Sequence, residues 1–334
     1  MAASTALPSR RSVLHTLASA PLIATLGTRC AMAAEAWPSR PLRIIVPNAP
    51  GGTSDIISRL ITKPLSDALG VPVLVENRAG AGGNIGAAAV ASATDQHTLL
   101  LCDVGGLAIS PSIYKTLPYD PERDLQGVAM LAQSPHLLAV HPSVEANNLQ
   151  ELIALSKRSK LNVALAGQGT PNHLATVQLA QITGMQWQHV PYKGGAPAVG
   201  DTVANVTQAV LNGMAATLPQ VLGGKLKAIG VAGKMRSPLL PNLPTLAEQG
   251  ATDFESGTWQ GVVVPSRLSK EQVARLHAEL VCIVQEPALR AQLRDAGVDV
   301  VAMAPAETTQ FIAKDRLRWA KVVQKAGNTI EGST

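Results

Sequence analysis

IIVPNAPGGTSD (residues 44–55) and, one helix later, VPVLVENRAGAGGNIG (residues 71–86) carry the reading of this chain. Each stretch begins with β-branched residues suited to a strand and leaves through glycines into a helical pattern. Glycine lets the backbone take φ > 0 and lets a ligand approach the main chain. The helix that follows offers unpaired N–H groups and the positive end of its dipole. Two such loops on successive strands read as a cradle for a small carboxylate. Asn48, Ala49, Pro50, Gly51, Gly52 and Thr53 form the first candidate loop, and Gly80, Ala81 and Gly82 the second.

The same grammar recurs along the chain. Residues 98–102 form an apolar strand that exits through Asp103-Val104-Gly105-Gly106, which adds Gly105 to the candidate site. A second set begins near residues 136–140, with a helix over 149–156. Residues 161–166 then exit through Gly167-Gln168-Gly169-Thr170 toward His173, and residues 187–190 exit through Pro191-Tyr192-Lys193-Gly194. Short apolar runs alternating with helical patterns predict an α/β protein with mostly parallel sheets. Ligands in open α/β sheets bind beyond the carboxyl ends of strands, so two such sets predict a cleft closed from both sides. The apolar strand over 259–265 is placed to cross back to the first set, and three helices follow, over 270–284, 287–296 and 306–325. The expected division is lobe 1 over 37–131 plus 260–334 and lobe 2 over 132–259.

With 334 residues and 46% hydrophobic content, the chain can bury two cores of ordinary size. Aromatic residues make up 3%, so base-stacking platforms are scarce. The formal charge of +5 owes much to Arg10, Arg11 and Arg29 in an acid-free leader. Setting these aside leaves 25 basic residues against 23 acidic ones, a charge of +2 that gives nucleic acid no electrostatic footing. Residues 1–33 read as a signal peptide of twin-arginine type, or alternatively an ordinary secretory one, with small-residue cleavage sites between 33 and 36. The expectation is an exported, soluble, periplasmic protein. Cys30 falls in the leader; Cys102 and Cys282 remain, free or paired.

Catalytic signatures are missing: the sequence has no G-x-S-x-G elbow, H-E-x-x-H, P-loop or paired carboxylates. The Gly80–Gly86 run does not match the dinucleotide fingerprint spacing. Asp55 reads either as a helix cap or as a partner for a ligand ammonium. His173 reads as a structural donor or a ligand contact, and Tyr192 as a phenol donor to a carboxylate, while Lys193 reads as solvated. No acid, base and nucleophile set can be assembled, so neither an enzyme nor a cofactor or metal site is expected.

In this order the motifs Trp37-Pro38-Ser39-Arg40-Pro41, Pro50-Gly51-Gly52 with Asp55, residues 76–86, Leu117-Pro118-Tyr119-Asp120-Pro121, residues 190–195, Gly223-Gly224-Lys225-Leu226 and residues 243–248 resemble one family closely. It is the Bug-type extracytoplasmic solute receptors of tripartite tricarboxylate transporters. The resemblance implies a two-lobed periplasmic-binding-protein-like fold of type II, acting as a monomer, that captures a di- or tricarboxylate, an amino acid or an aromatic acid by hinge closure. It implies carboxylate recognition by the two glycine loops through main chain and water, with second-lobe contacts from Gly167 to Thr170, His173 and Tyr192 to Gly194. Delivery to the membrane subunits of such a transporter is the implied role. Presentation to a sensor kinase, or a periplasmic enzyme, are the alternatives. The chain departs from the family pattern at Asn48, where an aromatic residue is usual, and at Gln208, where an acid is usual. Both departures point to a more polar or more anionic ligand. A third, residues 94–97, falls in a surface turn.

Overall fold

The structure is a computed structural model that describes residues 37–327 together with Ala2; the leader at residues 1–33 otherwise lies outside the described residues. Strand β1 (Leu42–Val46) leads to helix α1 (Thr53–Leu69), strand β2 (Val73–Asn77), helix α2 (Asn84–Ala91), strand β3 (Thr98–Cys102) and helix α3 (Ser110–Ile113). Strand β4 (Leu125–Val140) is followed by α4 (Leu149–Ser156), β5 (Asn162–Leu165), α5 (Pro171–Thr183), β6 (Gln188–Pro191) and α6 (Gly195–Val203). Then come β7 (Ala209–Gly213), α7 (Met214–Leu222), β8 (Lys227–Val231), β9 (Gly257–Pro265), α8 (Lys270–Gln285), α9 (Pro287–Asp295), β10 (Asp299–Met303) and α10 (Pro305–Ala326).

Local signals explain the elements on which the site depends. In α1, Ile57, Ile61, Leu65 and Leu69 recur every four residues and are all buried. Gly70 then ends the helix at φ 72°, donating its N–H to Ser66 O. Helix α5 starts with Thr170 as cap and Pro171 in its first turn, and stops at Gly184 with φ 69°. Strand β1 divides its side chains by the period of two: Leu42, Ile44 and Val46 enter one apolar cluster and Ile45 the opposite one. Strand β3 splits likewise, Leu99 and Leu101 against Leu100 and Cys102, and all five of its residues are buried.

Strands pair in the order β2-β1-β3-β9-β4-β7-β5-β6, with β8 and β10 also on β4. Pairing is parallel at both ends, where β1 takes β2 and β3 and β5 takes β6 and β7. In the middle it is antiparallel: β9 joins β3 to β4, and β4 also takes β7, β8 and β10. This central antiparallel part is the main difference from the sequence reading. Strands β4 and β9 run past each other in opposite senses, a pairing that requires no crossover helix. Residues 125–135 of β4 pair with β9, and residues 136–140 pair with β7. The change falls at Pro135, which has no N–H to donate, and two register shifts beside Gly127 and Met130 bend the strand.

Two apolar clusters cover the faces around β1 and β3, under α1 and α8 on one side and α2 and α10 on the other; a third sits under α4 and α5. Asp315 ties α10 to the central strands by accepting the indole N–H of Trp259 at 2.8 Å and of Trp319 at 3.1 Å. Cys102 and Cys282 are free thiols, one buried and one exposed. Among the described residues no helix is long and apolar enough to cross a membrane.

Candidate functional site

The exit of β1 is a braced turn. Gly52 is the residue before α1, and no side chain caps that helix start. Asp55, 2% exposed, sits one turn inside and reaches back: Oδ2 accepts Gly51 N–H at 2.8 Å and Arg59 Nε at 2.9 Å, and Oδ1 accepts Asn77 Nδ2 at 2.9 Å. Burial works to raise the Asp55 carboxyl, but the bonds from Arg59, Gly51 and Asn77 outweigh it and hold it below the usual range. Asn77 also donates to Asn48 O at 3.0 Å, so the end of β2 fixes the turn after β1. Asp55 is thus neither the cap residue nor turned outward to a ligand. Asn48 Nδ2 donates to Asp103 Oδ2 at 2.6 Å, which links the exits of β1 and β3.

From the other side, the exits of β5, β6 and β7 meet this turn. Ala49 N–H donates to Lys193 O at 3.2 Å. A Cβ at Gly194, whose φ is +140°, would lie 2.9 Å from Ala49 N, and one at Gly213 would lie 2.6 Å from Thr53 Oγ1. Gly82 approaches Gln168 O in the same way, at 3.4 Å from the place of its missing Cβ. The glycines permit backbone-to-backbone approach across the cleft, and the cleft is closed.

Between the two sides lies a cavity of about 40 Å³. Four helix starts border it: Gly52, Thr53 and Ser54 before and in α1, Thr170 to Asn172 at α5, Gly195 at α6 and Gly213 at α7. Side chains cap neither α1, α6 nor α7, so their N–H ends remain for an anion. Its remaining wall is Asn48, Asp103, His136, Ala166, Asn212, Thr258 and Gln260. The larger surface hollow lined by residues 156–161 and 186–188 lies at the opposite ends of β5 and β6 and shares no residue with this site.

Of the residues named from sequence, Asn48, Gly52, Thr53 and Thr170 line the cavity. Ala49, Gly51 and Gly194 form the contact across the cleft, with Pro50 inside that turn. Gly80, Ala81 and Gly82 do not reach the cavity; their loop packs on Gly105, whose lack of a Cβ leaves room for Gly82 O, and on Gln168. Gly167 takes φ +137° and Gly169 φ +69° in the turn capped by Thr170, and His173 holds that turn by accepting Gly169 N–H at Nδ1, 3.1 Å away.

Two more of the residues named from sequence lie away from the cavity. Tyr192 does not line the cavity; burial, then the Asp201 carboxylate of α6, push its phenol up to about 12. Gln208 lies just before β7, at the end of that strand remote from Gly213, where its Oε1 accepts Asn162 N–H at 3.1 Å. The ligand loops gather at the carboxyl ends of the strands, and Gln208 stands at the amino end. Sequence reasoning missed Ser54, His136, Asn172, Asn212, Thr258 and Gln260. The one available signal was the i, i+2 spacing of Thr258 and Gln260, which puts two polar side chains on one face of an apolar strand.

Two buried histidines give the fold an acid limit. Burial holds His136 at about 3, and burial with the neighbouring His189 ring holds His173 at about 4, both below the ordinary 6.5. The unfolded chain therefore binds protons first: their contribution to stability is full above pH 6.5 and is lost as pH falls toward the folded values. Between pH 7 and 5.5 the loss is about 1 kcal/mol for each. Asp103 acts in the opposite sense, since burial raises its carboxyl against the lowering bonds from Asn48 and Gly105. A difference measurement isolates the histidine: in denaturant melts at the two pH values, His136→Gln is expected to lose about 1 kcal/mol less than wild type. Equal losses would contradict it.

The sequence model described as the tripartite tricarboxylate transporter family receptor matches residues 57–328. Protein BugT of Bordetella pertussis is similar at 36% identity over 309 residues, covering 91% of this chain and 95% of BugT. The periplasmic binding protein BugD is similar in structure, with a TM-score of 0.84 at 31% identity over 87% of this chain and 99% of BugD. A Rhodopseudomonas palustris protein solved with adipate superposes with a TM-score of 0.84 at 29% identity, covering 87% of this chain and 98% of that one. The fold is that of the periplasmic binding proteins.

Proposed function

This chain belongs to the tripartite tricarboxylate transporter receptor family, a family of periplasmic solute receptors, and from that premise we propose that it is an exported carrier that closes on a small carboxylate and hands it to membrane subunits of such a transporter. The observation that carries the reading is the cavity itself, bordered by uncapped helix starts from both sides of a closed cleft. Helix N-termini favour a carboxylate without any basic side chain, and water bridges complete the hydrogen bonding. The adipate found in the Rhodopseudomonas relative supports this chemistry.

Strands β4 and β9 are the connections that bend, because they alone join the β1–β3 side to the β5–β7 side in the pairing order. Ligand binds one side first, and contacts such as Ala49 to Lys193 form only on closure, which shifts the population to the closed state. Turnover is not part of the proposal. His136 is neutral and bonded to Ser256 at 2.7 Å, and Ser256 does not line the cavity. X-ray scattering of the mature protein with and without saturating adipate or malate is expected to show compaction, with the acid recovered unchanged. A bound acid with an unaltered scattering profile would defeat the closure mechanism, and a chemically altered acid would defeat the carrier assignment.

A further inference from the structure

One acidic side chain lines the cavity, Asp103. Asp103 Oδ2 accepts the Asn48 amide at 2.6 Å and Oδ1 accepts Gly105 N–H at 3.1 Å, both neutral donors. Among the described residues no lysine, arginine or histidine nitrogen pairs with it, whereas Asp55, Asp95 and Asp124 each have an arginine. The carboxylate keeps acceptor capacity that protein groups do not use. Beside it lies Gln260. The β3–β9 register sets Cys102 against Gly261, and one step further sets Asp103 beside Gln260. Gln260 is 1% exposed and gives its Nε2 to Thr258 Oγ1 at 3.1 Å, while its Oε1 has no partner. A buried acceptor left unpaired costs about 1–3 kcal/mol, so a bound group that donates to it is strongly favoured.

The cavity therefore has two poles. Uncapped helix starts at Gly52 and Gly213 present N–H donors, and Asp103 with Gln260 presents acceptors and a negative charge. A simple dicarboxylate would set its second charge against Asp103 with no cation to balance it, a like-charge pair in a desolvated site. We propose that Asp103 and Gln260 form an ammonium-selecting subsite, so that this receptor takes a small zwitterionic amino acid, its carboxylate at the helix starts and its ammonium at Asp103. The assignment rests on the carrier reading above. Of the more polar or more anionic ligand expected from sequence it selects the more polar, and it gives Asn48 a role: the amide at that position donates to the Asp103 carboxylate.

Calorimetric titration of the mature protein, refolded from denaturant to remove co-purified solute, tests it with pairs that differ by one amino group: succinate and aspartate, glutarate and glutamate, butyrate and 2-aminobutyrate. The amino member is expected to bind at least tenfold tighter in one pair or more. Asp103→Asn, confirmed folded by its circular dichroism melt, is expected to cut the ratio of amino-acid to desamino-acid affinity at least tenfold. Gln260→Leu, which keeps the charge and removes the acceptor, is expected to lower it as well. Succinate, glutarate and butyrate each binding as tightly as their amino counterparts, or a preference unchanged in Asp103→Asn, would overturn the ammonium subsite and leave the carrier intact. No binding of any of these acids, adipate or malate would overturn the carrier reading too.

Discussion

Gly194→Val is expected to weaken ligand binding by about 100-fold while leaving a folded protein. Two effects must be kept apart. The residue takes φ +140°, a conformation that strains any side chain by about 1–3 kcal/mol whether the cleft is open or closed. That part lowers stability and leaves affinity alone. The second effect exists only on closure, because the new Cβ would meet Ala49 N at 2.9 Å and Ala49 Cβ at 3.1 Å. Backbone cannot step aside as a flexible side-chain tip does, so the overlap costs about 1–3 kcal/mol and breaks the Ala49–Lys193 hydrogen bond, worth about 1 kcal/mol more. Together these give about 3 kcal/mol, or roughly 100-fold in affinity. Gly184→Ala supplies the control: its φ of +69° is strained as well, yet nothing lies within 4 Å of the added Cβ. It is expected to lower the melting temperature and leave the dissociation constant unchanged. Calorimetry on both variants decides the matter, and a Gly194→Val affinity within threefold of wild type would mean that the loops need not meet for binding.

What the sequence discloses here is whatever local chemistry fixes. Strand β1, its glycine turn and α1 are legible because β-branched residues, two glycines and an apolar side chain every four residues lie next to one another in the chain. The 16-residue length of β4 is not legible, since Gly127 and Pro135 look like breakers until β9 lies alongside. Strand β10 carries a register shift and Ala302 at φ 55°, so its pattern has no clean period to read. For the site, the turns were legible and the walls were not. Thr258, Gln260 and Asn212 are polar residues on strands, which a sequence cannot tell from a solvent-facing row. Tyr192 shows the converse: its loop is in place, but its phenol neighbours Asp201, nine residues on in α6, and does not line the cavity. Asp103 stands at a strand exit in plain view, and only the pairing of β3 with β9 gives it a neighbour and a purpose.

The stability of the first turn depends on a single carboxylate, and Asp55→Ala is expected to lower the free energy of unfolding by about 2–3 kcal/mol. Removing it takes an acceptor from the Gly51 N–H and from Asn77 Nδ2, which keeps Asn48 O, and empties the space of a side chain that is 2% exposed. Arg59, with 56% of its side chain exposed, regains water, so the ion pair as such contributes little to the loss. The two part-buried hydrogen bonds to Gly51 and Asn77 carry most of it. Asp55→Asn keeps the shape and one acceptor oxygen, and is expected to lose about half as much. The pH dependence has a definite sign. The folded carboxyl lies below its ordinary value of 3.8, so its contribution is complete above that value and disappears as pH falls through the folded one. Urea denaturation of wild type and Asp55→Ala should therefore show a wide gap at pH 7 that narrows below about pH 4. Ligand affinity falls with it, because the same carboxylate holds Gly51 where Ala196 and Gly194 meet the turn. A gap under 1 kcal/mol at neutral pH would show that the turn holds its shape without the brace, leaving Asp55 free to be read as the ligand contact its position in the sequence first implies.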